Sequence, residues 1–194
     1  MEDMLHAQGV APLCGVDEAG RGPLAGPVVA AAVIFPPDSE LRLLVRDSKS
    51  LSPGRRLSLY TRLVSSPGVA WSVAVKDARF IDEVNILNAT LAAMKEAVMG
   101  LPTSPACVLV DGNVKPDVAC TCHAVVRGDT TEPSVMAASI IAKVTRDRIM
   151  EDMDALYPGY GFSRHKGYPT AEHRAAIVRL GPCAIHRRSF RGVS

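Results

Sequence analysis

Two rhythms of apolar and polar positions run along this chain. Residues 13–16 form a short apolar segment. Residues 28–35 form a continuous apolar run that Pro36-Pro37-Asp38 ends. Both read as strands, the second a buried one, and their close spacing predicts an antiparallel pair. Ser52-Pro53 opens a helix, with Ser as cap and Pro in the first turn, and Leu57, Tyr60, Leu63 and Val64 fall on one face of it. Ser66-Pro67-Gly68 breaks that helix, and Val69, Trp71, Val73 and Val75 then alternate as a third strand. Between Ile81 and Met99 the residues Val84, Leu87, Leu91, Met94 and Val98 recur at helical spacing, and Gly100-Leu101-Pro102 stops the pattern. Short strands follow at 107–110 and 121–126. Pro133 opens a helix of small residues, about 134–153, in which Ala137, Ala138, Ile141, Ala142 and Thr145 suit close packing on a sheet. Thr170 caps one more helix, which Gly181-Pro182 ends. The order β-β-α-β-α-β-β-α-α predicts a mixed sheet with helices on its faces.

Composition narrows the setting. A chain of 194 residues with 47% hydrophobic content fits one domain spanning 1–194. No apolar run reaches the ~18 residues of a membrane span. Met1-Glu2-Asp3-Met4 lacks a signal-peptide pattern. Five cysteines, an odd number in a chain large enough to fold without staples, favour a reducing cytoplasm. The net charge is only +2, yet from residue 155 onward seven Arg/Lys face the single acid Glu172. Residues 155–194 are thus expected to form a basic helical extension. Such a tail suits either a polyanion partner or an ordinary basic surface. If it grips a polyanion, Arg187 and Arg188 are the adjacent pair best placed to do so.

The candidate chemistry lies in Gly15-Val16-Asp17-Glu18-Ala19-Gly20-Arg21-Gly22-Pro23-Leu24-Ala25-Gly26. Gly15 and Gly20 have the P-loop gap, but Arg21-Gly22 stands where Lys-Ser/Thr is required. Gly26 comes one residue too late for the dinucleotide fingerprint, and Pro23 opens no such helix. Two adjacent acids followed by a tight glycine loop remain. Side chains of neighbouring strand residues point to opposite faces, so Asp17 and Glu18 are expected to share a site only where the strand ends and the chain turns. Asp111-Gly112 follows the 107–110 strand and Gly128-Asp129 follows the 121–126 strand. Each Asp alone suits a turn. Together, Asp17, Glu18, Asp111 and Asp129 can converge as a four-carboxylate site for two divalent ions in phosphodiester cleavage.

With these residues in view, the chain resembles bacterial ribonuclease HII. The resemblance is carried by Gly15 to Pro23, Asp47-Ser48-Lys49, Asp111-Gly112-Asn113, Gly128-Asp129, the run from Ala137 to Asp147, His165-Lys166-Gly167-Tyr168 and the ending Ile185 to Phe190. It implies a ribonuclease H-like α/β fold with a five-stranded mixed sheet. It also implies cleavage of the RNA strand of RNA–DNA hybrids, including 5′ to a single ribonucleotide in duplex DNA. The ends left would be 3′-hydroxyl and 5′-phosphate, and the cofactor Mn²⁺ or Mg²⁺. By the same resemblance Asp17, Glu18, Asp111 and Asp129 are the metal-binding, catalytic acids. Gly20, Arg21 and Gly22 would sense the ribose, Tyr168 would stack on a sugar, and Lys49 and Lys143 would contact phosphates. The implied enzyme is a cytoplasmic monomer with no membrane association. Ribonuclease HIII fits less well, because only about a dozen residues precede the first strand. A transposase-type nuclease does not explain Gly20-Arg21-Gly22, and a hybrid binder without catalysis does not need all four acids.

Two departures from the family pattern stand out. Ser50 replaces a common second Lys, and Glu132-Pro133 puts an acid and a proline after Asp129, where the acid would weaken nearby phosphate contacts. Other groups have plainer readings. Cys120-x-Cys122-His123 lacks a second ligand pair at zinc-finger spacing, so core cysteines are the better account. Ser139 is read as a packing residue. His165 and His173 carry no catalytic role but are placed to orient a loop or touch phosphates.

Overall fold

The computed structural model of the chain describes residues 1–36, 38–46 and 52–193. The elements, in chain order, are α1 (Glu2–Ala7), β1 (Leu13–Ala19), β2 (Val28–Ile34), α2 (Leu41–Arg46) and α3 (Pro53–Ser65). Then come β3 (Ala70–Lys76), α4 (Ala78–Met99), β4 (Cys107–Asp111) and β5 (Thr121–Val125). The last are α5 (Gly128–Thr131), α6 (Pro133–Leu156), α7 (Phe162–His165) and α8 (Ala171–Leu180). The five strands form one sheet in the order β3-β2-β1-β4-β5. β2 is antiparallel to β1 and to β3, while β4 is parallel to both β1 and β5. This is the mixed, helix-flanked sheet that the order of elements predicts.

The strands are buried on alternate faces against different helices. Val29, Ala31 and Val33 of β2 meet Ala137, Ala138, Ile141 and Ala142 of α6, with Leu59 and Leu63 of α3 behind them. Ala30, Ala32, Cys14, Val16, Val108 and Val110 meet α4 on the other face. Small residues set the distance. Gly15 lies directly under the start of α6, where an added Cβ would fall 2.1 Å from the Ser134 carbonyl carbon. No side chain fits between that strand and that helix.

Three expectations need correction. Of the predicted α4 positions Met94 and Val98 are buried, but Leu87 is exposed, and Ala89, Ala93 and Ala97 complete the buried face. The alanines of β2 draw the helix close, and a close helix presents small residues. Moreover, Asn85 at φ 67° interrupts α4, and its Oδ1 accepts the Asn88 N–H as a cap for the second segment. The buried face of α3 likewise centres on Leu59 and Leu63, leaving Leu57 exposed. The short helices α1, α2, α5 and α7 span at most six residues each, too few for a hydrophobic period to declare itself.

The contact at Gly15 yields a test. Gly15→Ala is expected to destabilise the protein by about 1–3 kcal/mol, the usual cost of overpacking a filled core. Urea unfolding measures it, and an unchanged midpoint would show that α6 can move off β1.

Candidate active site

β1 does not end at Asp17 as the sequence suggests. It runs on to Ala19, with Asp17 opposite Ala31 and Glu18 opposite Ala30 on β2. Its parallel pairing with β4 stops at Val16–Val110. Over Asp17–Ala19 the strand is therefore paired on one side only. Asp17 points to the α6 face and Glu18 to the α4 face, as pleating requires, but the open edge beside them leaves Glu18 free to reach round. Asp111, the last residue of β4, stands next to that edge. Asp129 sits in α5, just after β5, and its N–H donates to Asp111 Oδ1 at 3.2 Å. The strand order thus brings all four acids to one end of the sheet.

Each acid has its own electrostatic setting. Asp17 is almost wholly buried. Loss of water raises its pKa well above the usual carboxylate range and the Glu18 charge adds to this, while a hydrogen bond from Ser139 opposes it. Burial also raises Glu18, against the pull of Arg21, whose guanidinium lies 3.3 Å away. Asp129 is raised by burial and by the Asp111 charge. Among the described residues, no three Asp, Glu, His or Cys side chains already form a metal-holding cluster. Asp17 Oδ1 accepts the Glu18 N–H, and Asp111 Oδ1 accepts the Asp129 N–H. The donor set nevertheless fits a hard divalent cation. All the donors are carboxylate oxygens.

An open cleft of about 520 Å³ lies over this end of the sheet. Glu18, Gly20, Arg21, Gly22, Asp129, Ser139, Lys143 and Tyr168 all line it. Glu18 and Arg21 also reach an adjoining pocket with Asp111. Six of the predicted substrate- and metal-binding positions therefore share one wall of the cleft with Glu18. Lys143 pairs with Asp147 at 2.8 Å, and its Nζ stands 6.0 Å from the centre of the Tyr168 ring. A Cβ on Gly22 would lie 3.9 Å from that ring, which puts the glycine loop and the tyrosine side by side. Lys49 and Ser50 lie outside the described residues.

Several residues play roles that their sequence context hides. Ser139, expected to be a packing residue, lines the cleft and helps to hold the Asp17 pKa down against burial. Glu132 does not face the cleft. It is buried, and its Oε2 accepts the Glu2 N–H at 2.7 Å. Glu2 in turn accepts from the Ser134 N–H and hydroxyl at the start of α6. Arg187, expected to grip a polyanion, is fully buried, whereas Arg188 is exposed. Much of the remaining basic tail is also engaged: Arg164 with Glu172, Lys166 with Glu151, and Arg179 with the Gly159 carbonyl. Cys120 and Cys122 pack against the α4-side core.

The loop that carries Tyr168 rests on buried imidazoles. His165 Nδ1 accepts the Gly167 N–H, and His173 Nδ1 lies 3.0 Å from the Tyr168 carbonyl. His173 and His186 meet at 3.1 Å through their Nε2 atoms, so one donates and the other accepts. Burial lowers His173, and burial with His173 beside it lowers His186 to about 4. Both are therefore neutral at pH 7, as that shared proton requires. Orienting a loop, one of the two roles expected of His165 and His173, is the role the structure gives them.

Raised carboxylate pKa values fix a sign. The folded state binds these protons more tightly than the unfolded chain, so stability falls as pH rises from the ordinary carboxylate range through the raised values. Asp17→Asn removes the largest penalty. In EDTA at pH 7 it is expected to raise the melting temperature, with the gain shrinking toward pH 4. A lower melting temperature at pH 7 would mean that the Ser139 bond outweighs the cost of burial.

Comparison with known proteins agrees with this geometry. The model of the ribonuclease HII family matches residues 14–193. The chain is 53% identical over 192 residues to ribonuclease HII of Geotalea uraniireducens, covering 99% of this chain and 88% of that protein. To ribonuclease HII of Geobacter sulfurreducens the identity is 54%, with the same coverage. Its fold is similar to the crystal structure of ribonuclease H2 from Pyrococcus horikoshii OT3, with a TM-score of 0.78 and 30% identity over 94% of this chain and 95% of that one. A family match across nearly the whole chain, on a sheet whose end gathers four acids under an open cleft, places this protein in the ribonuclease HII family as a metal-dependent ribonuclease.

Proposed function

We propose that this protein cleaves the RNA strand of RNA–DNA hybrids and also cuts 5′ to a single ribonucleotide in duplex DNA, leaving 3′-hydroxyl and 5′-phosphate ends. The observation that carries this reading is the arrangement of the cleft. Glu18, Asp129, the Gly20-Arg21-Gly22 loop and the Tyr168 ring line one open cleft, Asp111 lines the pocket that adjoins it, and Asp17 is buried next to Glu18 on the same strand end. Asp17, Glu18, Asp111 and Asp129 would hold two divalent ions, Mn²⁺ or Mg²⁺. When bound, such ions activate water and stabilise the leaving oxygen. Residues 1–194 act as one catalytic domain, with 155–194 as its basic extension, in a cytoplasmic monomer. Among the described residues no helix is long and apolar enough to cross a membrane.

The chain's own groups divide the remaining work. The glycine loop lets a ribose come close, and the 2′-hydroxyl is the one group that separates RNA from DNA at a single position. Tyr168, partly exposed, offers its ring to the next sugar, where a deoxyribose packs without a second hydroxyl in the way. Lys143 supplies positive charge beside that ring. Lys49 is assigned a phosphate contact by resemblance alone. Arg188 and Arg191, both exposed, take over the backbone contacts first expected of Arg187.

Cleavage of duplex DNA carrying one ribonucleotide, with Mg²⁺, with Mn²⁺ and with EDTA, tests the reading directly. Activity is expected with either ion and none with EDTA. Asp129→Asn is expected to reduce turnover at least about a thousandfold, and near-normal turnover would remove Asp129 from the catalytic set. Gly22→Ala has room for its Cβ in the free protein, so its melting temperature should hold while cleavage of both substrates falls. Tyr168→Ala is expected to cost more on the single ribonucleotide than on a long hybrid. Equal losses with a lowered melting temperature would make Tyr168 a packing residue.

A further inference from the structure

Two arginines are buried beneath the glycine loop, and among the described residues no carboxylate pairs with either. Arg187 donates from Nε to the Gly26 carbonyl at 2.9 Å, from Nη1 to the Arg21 carbonyl at 3.0 Å and from Nη2 to the Gly20 carbonyl at 2.6 Å. Arg146, on α6, donates to the carbonyls of Pro27, Lys166 and Ala25. Burying a charge is costly unless its donors are fully met. Here two cations are buried side by side, and backbone carbonyls of the 20–27 loop take five of these six bonds. Such an expense on one loop points to a need for a particular backbone shape.

That shape follows from peptide geometry. In a trans peptide the C=O and the next N–H point in opposite directions. The Gly20 and Arg21 carbonyls both point at Arg187, so the N–H groups of Arg21 and Gly22 point away from it. Arg187 is fully buried, while Arg21 and Gly22 are exposed and line the cleft. The side away from Arg187 is therefore the cleft. Among the described residues neither N–H has a hydrogen-bond partner. A cation on the carbonyl side also polarises each peptide unit and makes its N–H a stronger donor.

We propose that Arg187 is a positioning residue for ribose recognition: it fixes two peptide planes so that the N–H groups of Arg21 and Gly22 face the cleft as paired donors for the 2′-oxygen of the ribonucleotide. Arg146 holds the other flank of the loop and ties it, through the Lys166 carbonyl, to the segment that carries Tyr168. Lysine cannot replace Arg187 in this role. Its single ammonium lacks the planar fork that reaches three carbonyls at fixed angles. This inference rests on the reading that Gly20-Arg21-Gly22 senses the ribose, and the test separates the two.

Affinity is measured in EDTA, so that no strand is cut, for a duplex with one ribonucleotide and for the all-DNA duplex of the same sequence. The ratio of the two dissociation constants is the readout. A ratio near one in the unaltered protein would overturn the ribose-sensing reading itself. With a clear preference there, Arg187→Lys is expected to shrink the ratio about tenfold, as loss of one or two aligned donors would, while leaving all-DNA affinity near its original value. A purely structural Arg187 would weaken both duplexes together and keep the ratio, which overturns the proposal. A second measurement needs no variant and decides the case if Arg187→Lys does not fold. Amide hydrogen exchange at Arg21 and Gly22 is expected to be fast in the free protein and slowed by the ribonucleotide duplex but not by the all-DNA duplex. Slow exchange in the free protein, or equal slowing by both duplexes, would overturn it.

Discussion

The packing of α6 against β1 is the constraint on which this structure depends. Gly15 permits it, because any Cβ there would meet the helix backbone. Once α6 lies that close, its residues at three- and four-residue intervals are fixed above the sheet end. Ser139 meets Asp17, Lys143 reaches the cleft, and Arg146 reaches the carbonyls of the glycine loop. One helix face therefore serves the buried acid, the open cleft and the loop in succession. A helix held farther off by a larger residue at position 15 would change all three together.

The charges of the site are separated by depth and by kind of partner. The acids sit at strand ends, where burial first and a neighbouring carboxylate second raise the pKa values of Asp17 and Asp129, and burial raises that of Glu18. The buried cations lie beneath the neighbouring loop and are matched to carbonyls instead of to those acids. Burial, with Arg146 beside it, lowers the Arg187 guanidinium to about 9, so it stays charged at neutral pH. A buried carboxylate paired to Arg187 would have claimed the donors that now hold Gly20, Arg21 and Gly26. Leaving the two sets unpaired keeps the guanidinium available to the loop and leaves the acids without a buried cation to neutralise them.

Sequence made part of this legible and concealed the rest for identifiable reasons. The five strands and the longer helices follow from apolar runs and their punctuation. The four acids stand out because Asp111 and Asp129 each adjoin a glycine after an apolar strand and Asp17-Glu18 sits between Gly15 and Gly20. The continuation of β1 through Asp17-Glu18-Ala19 was hidden, because acids and glycines mimic a turn. Only the earlier end of the β4 pairing shows how two residues on opposite faces meet at one edge. On α4 the apolar period finds the buried Met94 and Val98 but passes over Ala89, Ala93 and Ala97, because hydrophobicity does not report how close a helix lies. Ser139 carried no signal, since one hydroxyl on an alanine-rich face looks like packing. Arg146 and Arg187 lie among other charged residues, and nothing in a run of charges says which one turns inward.

That last point changes what the C-terminal segment is. Its excess of positive charge suggests an appendage that holds nucleic acid, yet its innermost residues complete the site. Gly26 donates to the Ile185 carbonyl, Arg187 donates its own N–H to the Leu24 carbonyl, and Ala25 bridges to His186. On the other flank, Leu24 donates to the Gly167 carbonyl. The glycine loop is thus held between the Tyr168 segment on one side and residues 185–187 on the other, with both guanidiniums underneath. A loop rich in glycine has much conformational freedom to lose, and here the loss is taken up by contacts from more than 140 residues away in sequence instead of by its own neighbours. Without that distant frame the same glycines would leave the loop's N–H groups unaligned, so the extension and the loop form one structural unit.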